Sequence, residues 1–124
     1  MNTLIWIVQG LLTFAFLMAG AMKLAQPREK VIASGGKWAE DFSQPAIKLI
    51  GAAEVLLALG VSMPMFFNFG PAVLTSLSAA GIAAIMVGAF VTHLRRKETP
   101  FLFVTGVILL LAVFVAYERI PSSF

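Results

Sequence analysis

AIKLIGAAEVLLALGVSMPMFF, residues 46–67, is an apolar run that carries a carboxylate, Glu54, in its interior. About 20 residues at roughly 1.5 Å per residue suffice to cross some 30 Å of hydrocarbon, so the run has the length of a membrane span. Backbone amides in that solvent must satisfy one another, which makes the run a helix. Three more stretches have the same character, at about 3–24, 71–94 and 101–117. The expected fold is all-α: a transmembrane four-helix bundle with short loops, forming a single membrane domain over residues 1–124.

Composition supports this reading. Hydrophobic residues make up 60% of the chain and charged residues 12%, about half the charged share that a soluble domain uses to cover its surface. The outer surface must be largely apolar, and lipid tolerates that. The net charge of +3 does not indicate nucleic acid, because the charges lie in short clusters between apolar runs and form no basic face. Cysteine is absent, which removes thiolate nucleophiles, dithiol relays, disulfides and thiolate-held metals. The first run is expected to be a retained helix: Met1-Asn2-Thr3 lacks the basic side chains that precede the core of a signal peptide.

Orientation follows from the basic residues. Lys23, Arg28, Lys30, Lys37 and Lys48 follow the first span, and Arg95, Arg96 and Lys97 follow the third; only Arg119 lies at the opposite end. Positive residues favour the cytoplasmic side, so both termini are expected on the non-cytoplasmic side of a multi-pass cell-membrane protein, the inner membrane if the host is bacterial. Asn68-Phe69-Gly70-Pro71 reads as a tight outer turn, and Pro64 as a bend in the second span or its end. Trp6, Phe66, Phe67 and Tyr117 form a candidate aromatic belt at that end. The connection at 26–44 reads as amphipathic. Trp38 and Phe42, four residues apart, share a helical face, either as a headgroup-level helix or as a lid over a ligand.

Polar and small residues recur in stripes: Gln9, Thr13, Phe16, Gly20 and Lys23 on the first span, Ala80, Ala84, Gly88 and Thr92 on the third, Thr105, Ala112, Ala116 and Arg119 on the fourth. Packing seams are the simplest explanation. Glu54 differs, because a lone intramembrane carboxylate costs at least about 2.5–3.5 kcal/mol and must be paired, protonated or wet. Side chains lean toward the N-terminal end of their helix, which brings Glu54, Lys23 and His93 toward one level. Lys48 faces elsewhere and is expected to snorkel. The ligand-binding candidates are Glu54, Lys23, His93, Gly51 and Gln9, with Glu54, His93 and Lys23 the candidates should the site be catalytic. One His and one Glu are too few for a metal centre.

Some segments have a familiar order. Ala19-Gly20-Ala21-Met22-Lys23-Leu24 closes the first span, and Lys48-Leu49-Ile50-Gly51-Ala52-Ala53-Glu54-Val55-Leu56 opens the second. Pro64, then Gly88-Ala89-Phe90-Val91-Thr92-His93-Leu94-Arg95-Arg96, then Tyr117-Glu118-Arg119 follow. In these the chain resembles the DoxX-like family of small four-helix membrane proteins. The resemblance implies kinship with a subunit of a quinone-reducing sulfur-oxidising enzyme, with proteins linked to thiol and oxidative-stress handling, and with distant assembly chaperones for membrane receptors. Lack of cysteine argues against direct thiol chemistry but leaves quinone binding open.

Three functions are compatible with these residues. The first is a membrane module that binds a membrane-protein partner, another copy of itself or a hydrophobic small molecule through the polar seam around Glu54. The second is a quinone-linked oxidoreductase, or a subunit of one, in which Glu54 exchanges protons with help from Lys23 or His93. The third, a proton-coupled transporter, fits least, since only Gln9 and Thr13 would line an outer path.

Overall fold

Leu, Ile, Val, Phe and Ala dominate each apolar run, and with no competing water each closes into one continuous helix. The computed structural model describes residues 2–34, 36–67 and 73–119. It contains α1 (Asn2–Ala25), α2 (Arg28–Ala33), a 3-10 turn (Lys37–Asp41), α3 (Gln44–Phe67), α4 (Val73–Arg95) and α5 (Thr99–Glu118). The four long helices are long and apolar enough to cross a membrane, and only 17–33% of each span is buried within the bundle. Most of each helix surface therefore faces outward, and Leu49, Leu56, Phe103 and Leu110 are among the most exposed side chains. This is a multi-pass membrane protein in contact with lipid. The turn expected at Asn68–Pro71 lies outside the described residues.

The helices run up and down in sequence order. α1 packs mainly on α3 and α4 mainly on α5, α3 joins the two pairs, and the α1–α5 side is the sparsest. The polar stripe of α1 forms its seam with α3. Gln9 Nε2 donates to the Val61 carbonyl at 2.9 Å, and Thr13 Oγ1 donates to that of Ala58 at 2.9 Å. The Ser62 hydroxyl lies 2.7 Å from that of Thr13. Farther along, Gly20 meets Gly51 so closely that a methyl group on Gly20 would sit 2.6 Å from the Gly51 carbonyl oxygen. Glycine at both positions lets the two backbones approach. Val8, Leu12, Phe16, Val61, Ile82 and Val115 belong to the core between the helices.

Two sequence expectations need correction and one is narrowed. Of a bend or an end at Pro64, the end does not occur, because the helix continues to Phe67. Proline lacks a backbone donor, yet Gln9 and Thr13 clamp the preceding turn onto α1. The stripe on α4 is not an internal seam: Ala80, Ala84 and Gly88 are exposed, and α4 buries Thr75, Ser76, Ala79, Ile82, Met86 and His93 instead. Lys48 does not reach freely to the headgroups. Its Nζ donates to the Leu24 and Gln26 carbonyls at 2.6 and 3.0 Å, which caps the end of α1.

Candidate functional site

Beside the Gly20–Gly51 crossing, Lys23 leans back along α1 and Glu54 leans along α3 in the opposite direction. They meet as an ion pair, Lys23 Nζ donating to Glu54 Oε1 at 2.8 Å. The Glu54 side chain is only 5% exposed. The ammonium also sits 5.2 Å from the centre of the Trp38 ring, a cation–π contact. Among the described residues the second carboxylate oxygen, Oε2, takes no hydrogen bond, yet it is not sealed off.

It is not sealed off because Glu54 lines a cavity of about 460 Å³. Ala15, Phe16, Ala19 and Lys23 contribute from α1, and Ile50 joins Glu54 from α3. α4 supplies Met86, Ala89, Thr92 and His93, and α5 supplies Phe101, Val104, Thr105 and Ile108. Trp38 and Phe42 close the basic end, touching edge to face at 5.9 Å. α1 and α5, whose mutual contact is the sparsest, both line the cavity, and Ala15 and Val104 on that side are exposed. A pocket of this size, apolar with a few converging polar groups, has the usual make-up of a small-molecule site.

His93 reaches the cavity from the last turn of α4, with its ring stacked on Phe101 at 4.8 Å. Its Nδ1 lies 2.7 Å from Glu98 Oε1. The chain doubles back through Lys97, whose φ of 57° is the left-handed conformation of a helix C-terminal turn. The Glu98 amide then donates to the His93 carbonyl at 2.9 Å. Hydrogen bonding to His93, with Arg96 adding to it, holds the Glu98 carboxyl below the usual carboxylate range. Arg96 also ties this corner to the first connection, donating to Glu40 at 2.7 Å and Asp41 at 3.0 Å. Arg28 grips the same segment through the Phe42 and Glu40 carbonyls at 2.8 and 3.1 Å. The floor of Trp38 and Phe42 is thus fastened from two sides.

Lys23, Glu54 and His93 share the cavity wall. The other two sequence candidates do not reach it. Gly51 lies at the helix crossing, where it sets the spacing that lets Lys23 meet Glu54. Gln9 lies toward the termini, where its amide oxygen accepts from Arg119 Nε at 2.7 Å. Arg119 also donates to Asn2 and lies over Trp6, with its guanidinium carbon 5.5 Å from the ring centre. Glu98 and Phe101 were missing from the sequence reading. His-Leu-Arg-Arg-Lys-Glu contains no glycine to announce the reversal that brings Glu98 back to His93.

No curated protein and no solved structure matches the chain. The model of one family, described as DoxX-like, does match, over residues 7–115, a segment that holds most of α1 and α5, all of α3 and α4, and every wall of the cavity. This four-span membrane protein belongs to the DoxX-like family.

Proposed function

We propose that the protein binds a hydrophobic small molecule, which enters from the bilayer between α1 and α5 and places its polar end against Glu54, Lys23 and His93. One observation carries this reading: a carboxylate within a membrane-spanning helix has an unpaired oxygen on the wall of a cavity between the spans. A purely structural ion pair would have no use for a cavity beside it, since close packing is what stabilises helices in lipid. Trp38 and Phe42 close the cavity at its basic end. In this reading the basic end faces the cytoplasm and both termini lie on the other side. With no native cysteine to interfere, single cysteines at Glu29 and Thr3 test that orientation. A membrane-impermeant maleimide should label Thr3→Cys in intact cells and Glu29→Cys only after lysis.

Quinone-linked oxidoreduction is the second reading, in which the same unpaired oxygen would take a proton from the hydroxyl of the reduced, quinol form. A flat ring with a polar edge suits the cavity, and Glu54 and His93 would hold protons at its edge. The electron carrier would come from a partner subunit.

The test is mass spectrometry of protein extracted in native lipid particles, comparing wild type with Glu54→Gln and with Ala19→Phe, which fills part of the cavity. A stoichiometric hydrophobic molecule on wild type, lost from Ala19→Phe, is the expected result. Only bulk lipid on all three would overturn the reading.

A further inference from the structure

We infer that the cavity selects ligands with a hydrogen-bond-donating head, a hydroxyl on an apolar body such as a phenol or long-chain alcohol, over ethers and ketones of the same shape. The inference rests on the binding reading above and deepens it. Its basis is a count of donors against acceptors on the cavity wall.

Glu54 Oε1 is engaged by Lys23, which leaves Oε2 as an open acceptor. An ionised Glu98 can only accept, so His93 Nδ1 carries the proton of the 2.7 Å bond between them. In the neutral ring His93 Nε2 is then an acceptor too, and it has no partner among the described residues. Two threonine hydroxyls line the wall, and each gives its proton to its own helix. Thr92 donates to the Gly88 carbonyl at 2.9 Å, and Thr105 donates to that of Phe101 at 2.8 Å. What they turn toward the ligand is lone pairs. Against these four acceptors stand two donor groups, the Lys23 ammonium, already engaged with Glu54, and the Trp38 indole N–H.

A ligand that only accepts can pair with Lys23 or Trp38 and leaves the acceptor oxygens and Nε2 desolvated and unpaired, which is unfavourable. A hydroxyl gives its proton to Glu54 Oε2 or His93 Nε2 and still accepts from Lys23. Sites that hydrogen-bond a hydroxyl reject analogues lacking it far more strongly than apolar pockets reject a methylene. Glu98 is the positioning residue: it touches no ligand but fixes which nitrogen of His93 faces the cavity.

The experiment is a native mass-spectrometry titration of the full chain in lipid nanodiscs with 4-nonylphenol and with its methyl ether, 4-nonylanisole. The phenol should bind at least about tenfold more tightly to wild type. The ratio should fall toward one in His93→Phe, and also in Glu98→Ala, which frees the tautomer without altering the cavity wall. Equal affinity of phenol and ether for wild type overturns the donor preference while leaving cavity binding intact. Binding of neither probe overturns both.

Discussion

Toward the chain termini, polar side chains inside the bundle are used up by one another. Gln9 bridges Val61 and Arg119, and Thr13 serves Ala58 and Ser62. Ser76 donates to the Ala116 carbonyl at 2.6 Å. Among the described residues, Thr75 Oγ1 and Arg119 Nη2 are the buried exceptions at that end. Toward the basic end, Glu54, Lys23 and His93 each make one strong polar contact and turn their remaining capacity toward a hollow. The same bundle is solid in one half and open in the other. Polar groups in lipid are tolerated when paired, so unpaired valence next to empty volume is what singles out this half for the proposed ligand.

The largest expected effect tests the pair that borders the hollow. Lys23→Met leaves Glu54 buried without its cation and should destabilise the protein by about 3 kcal/mol, read by steric-trap unfolding in bicelles. Glu54→Leu should cost less, because Lys23 lies in the last turn of α1 and can snorkel to the basic end. The double variant should recover most of the loss; if it is as unstable as Lys23→Met, the pair is not what the two residues share.

A smaller effect tests the crossing that sets the pair. Gly20→Ala should cost about 1–3 kcal/mol, because the methyl group meets the Gly51 carbonyl and Val55. Gly10→Ala, where a methyl group meets nothing within 4 Å, should be neutral or stabilise slightly. Similar losses at both would deny that close backbone approach matters at Gly20. In the solid half, Gln9→Leu should cost about 1 kcal/mol, in the range of interhelical hydrogen bonds in membranes. It should leave probe binding at the other end unchanged, which checks that the halves are independent.

The smallest effect is a pH dependence at the α4–α5 corner. Because the Glu98 carboxyl titrates below its ordinary value, its contribution is complete above that ordinary value and is lost as pH falls through the lowered one. Acid should therefore loosen the corner in wild type. Glu98→Gln should flatten the pH dependence in the acid range, as followed by hydrogen exchange of the 96–99 amides.

The spans were legible because apolar length in lipid allows one answer, and the α1 stripe was legible because polar spacing of four and three fixes a face. The Lys23–Glu54 pair followed from side-chain lean alone. Pro64 left a bend or an end open, and the helix runs through it to Phe67, with contacts from α1 at Ala58 and Val61 holding the preceding turn. The α4 repeat misled because spacing gives a stripe but not which way it faces; Ala80 and Ala84 point outward. The hollow itself is a property of four helices and a connection together, and Glu98 enters through a left-handed Lys97, which no residue type announces.

The two tryptophans divide between the halves, Trp6 near Arg119 and Trp38 on the cavity, and single-tryptophan variants can report each separately. The most direct test of the account is quenching of each by a brominated alkylphenol titrated into nanodiscs. Saturable quenching of Trp38, removed by Ala19→Phe, beside linear partition-like quenching of Trp6, is the predicted result. Linear quenching of both, indifferent to Ala19→Phe, would contradict a ligand site in the open half.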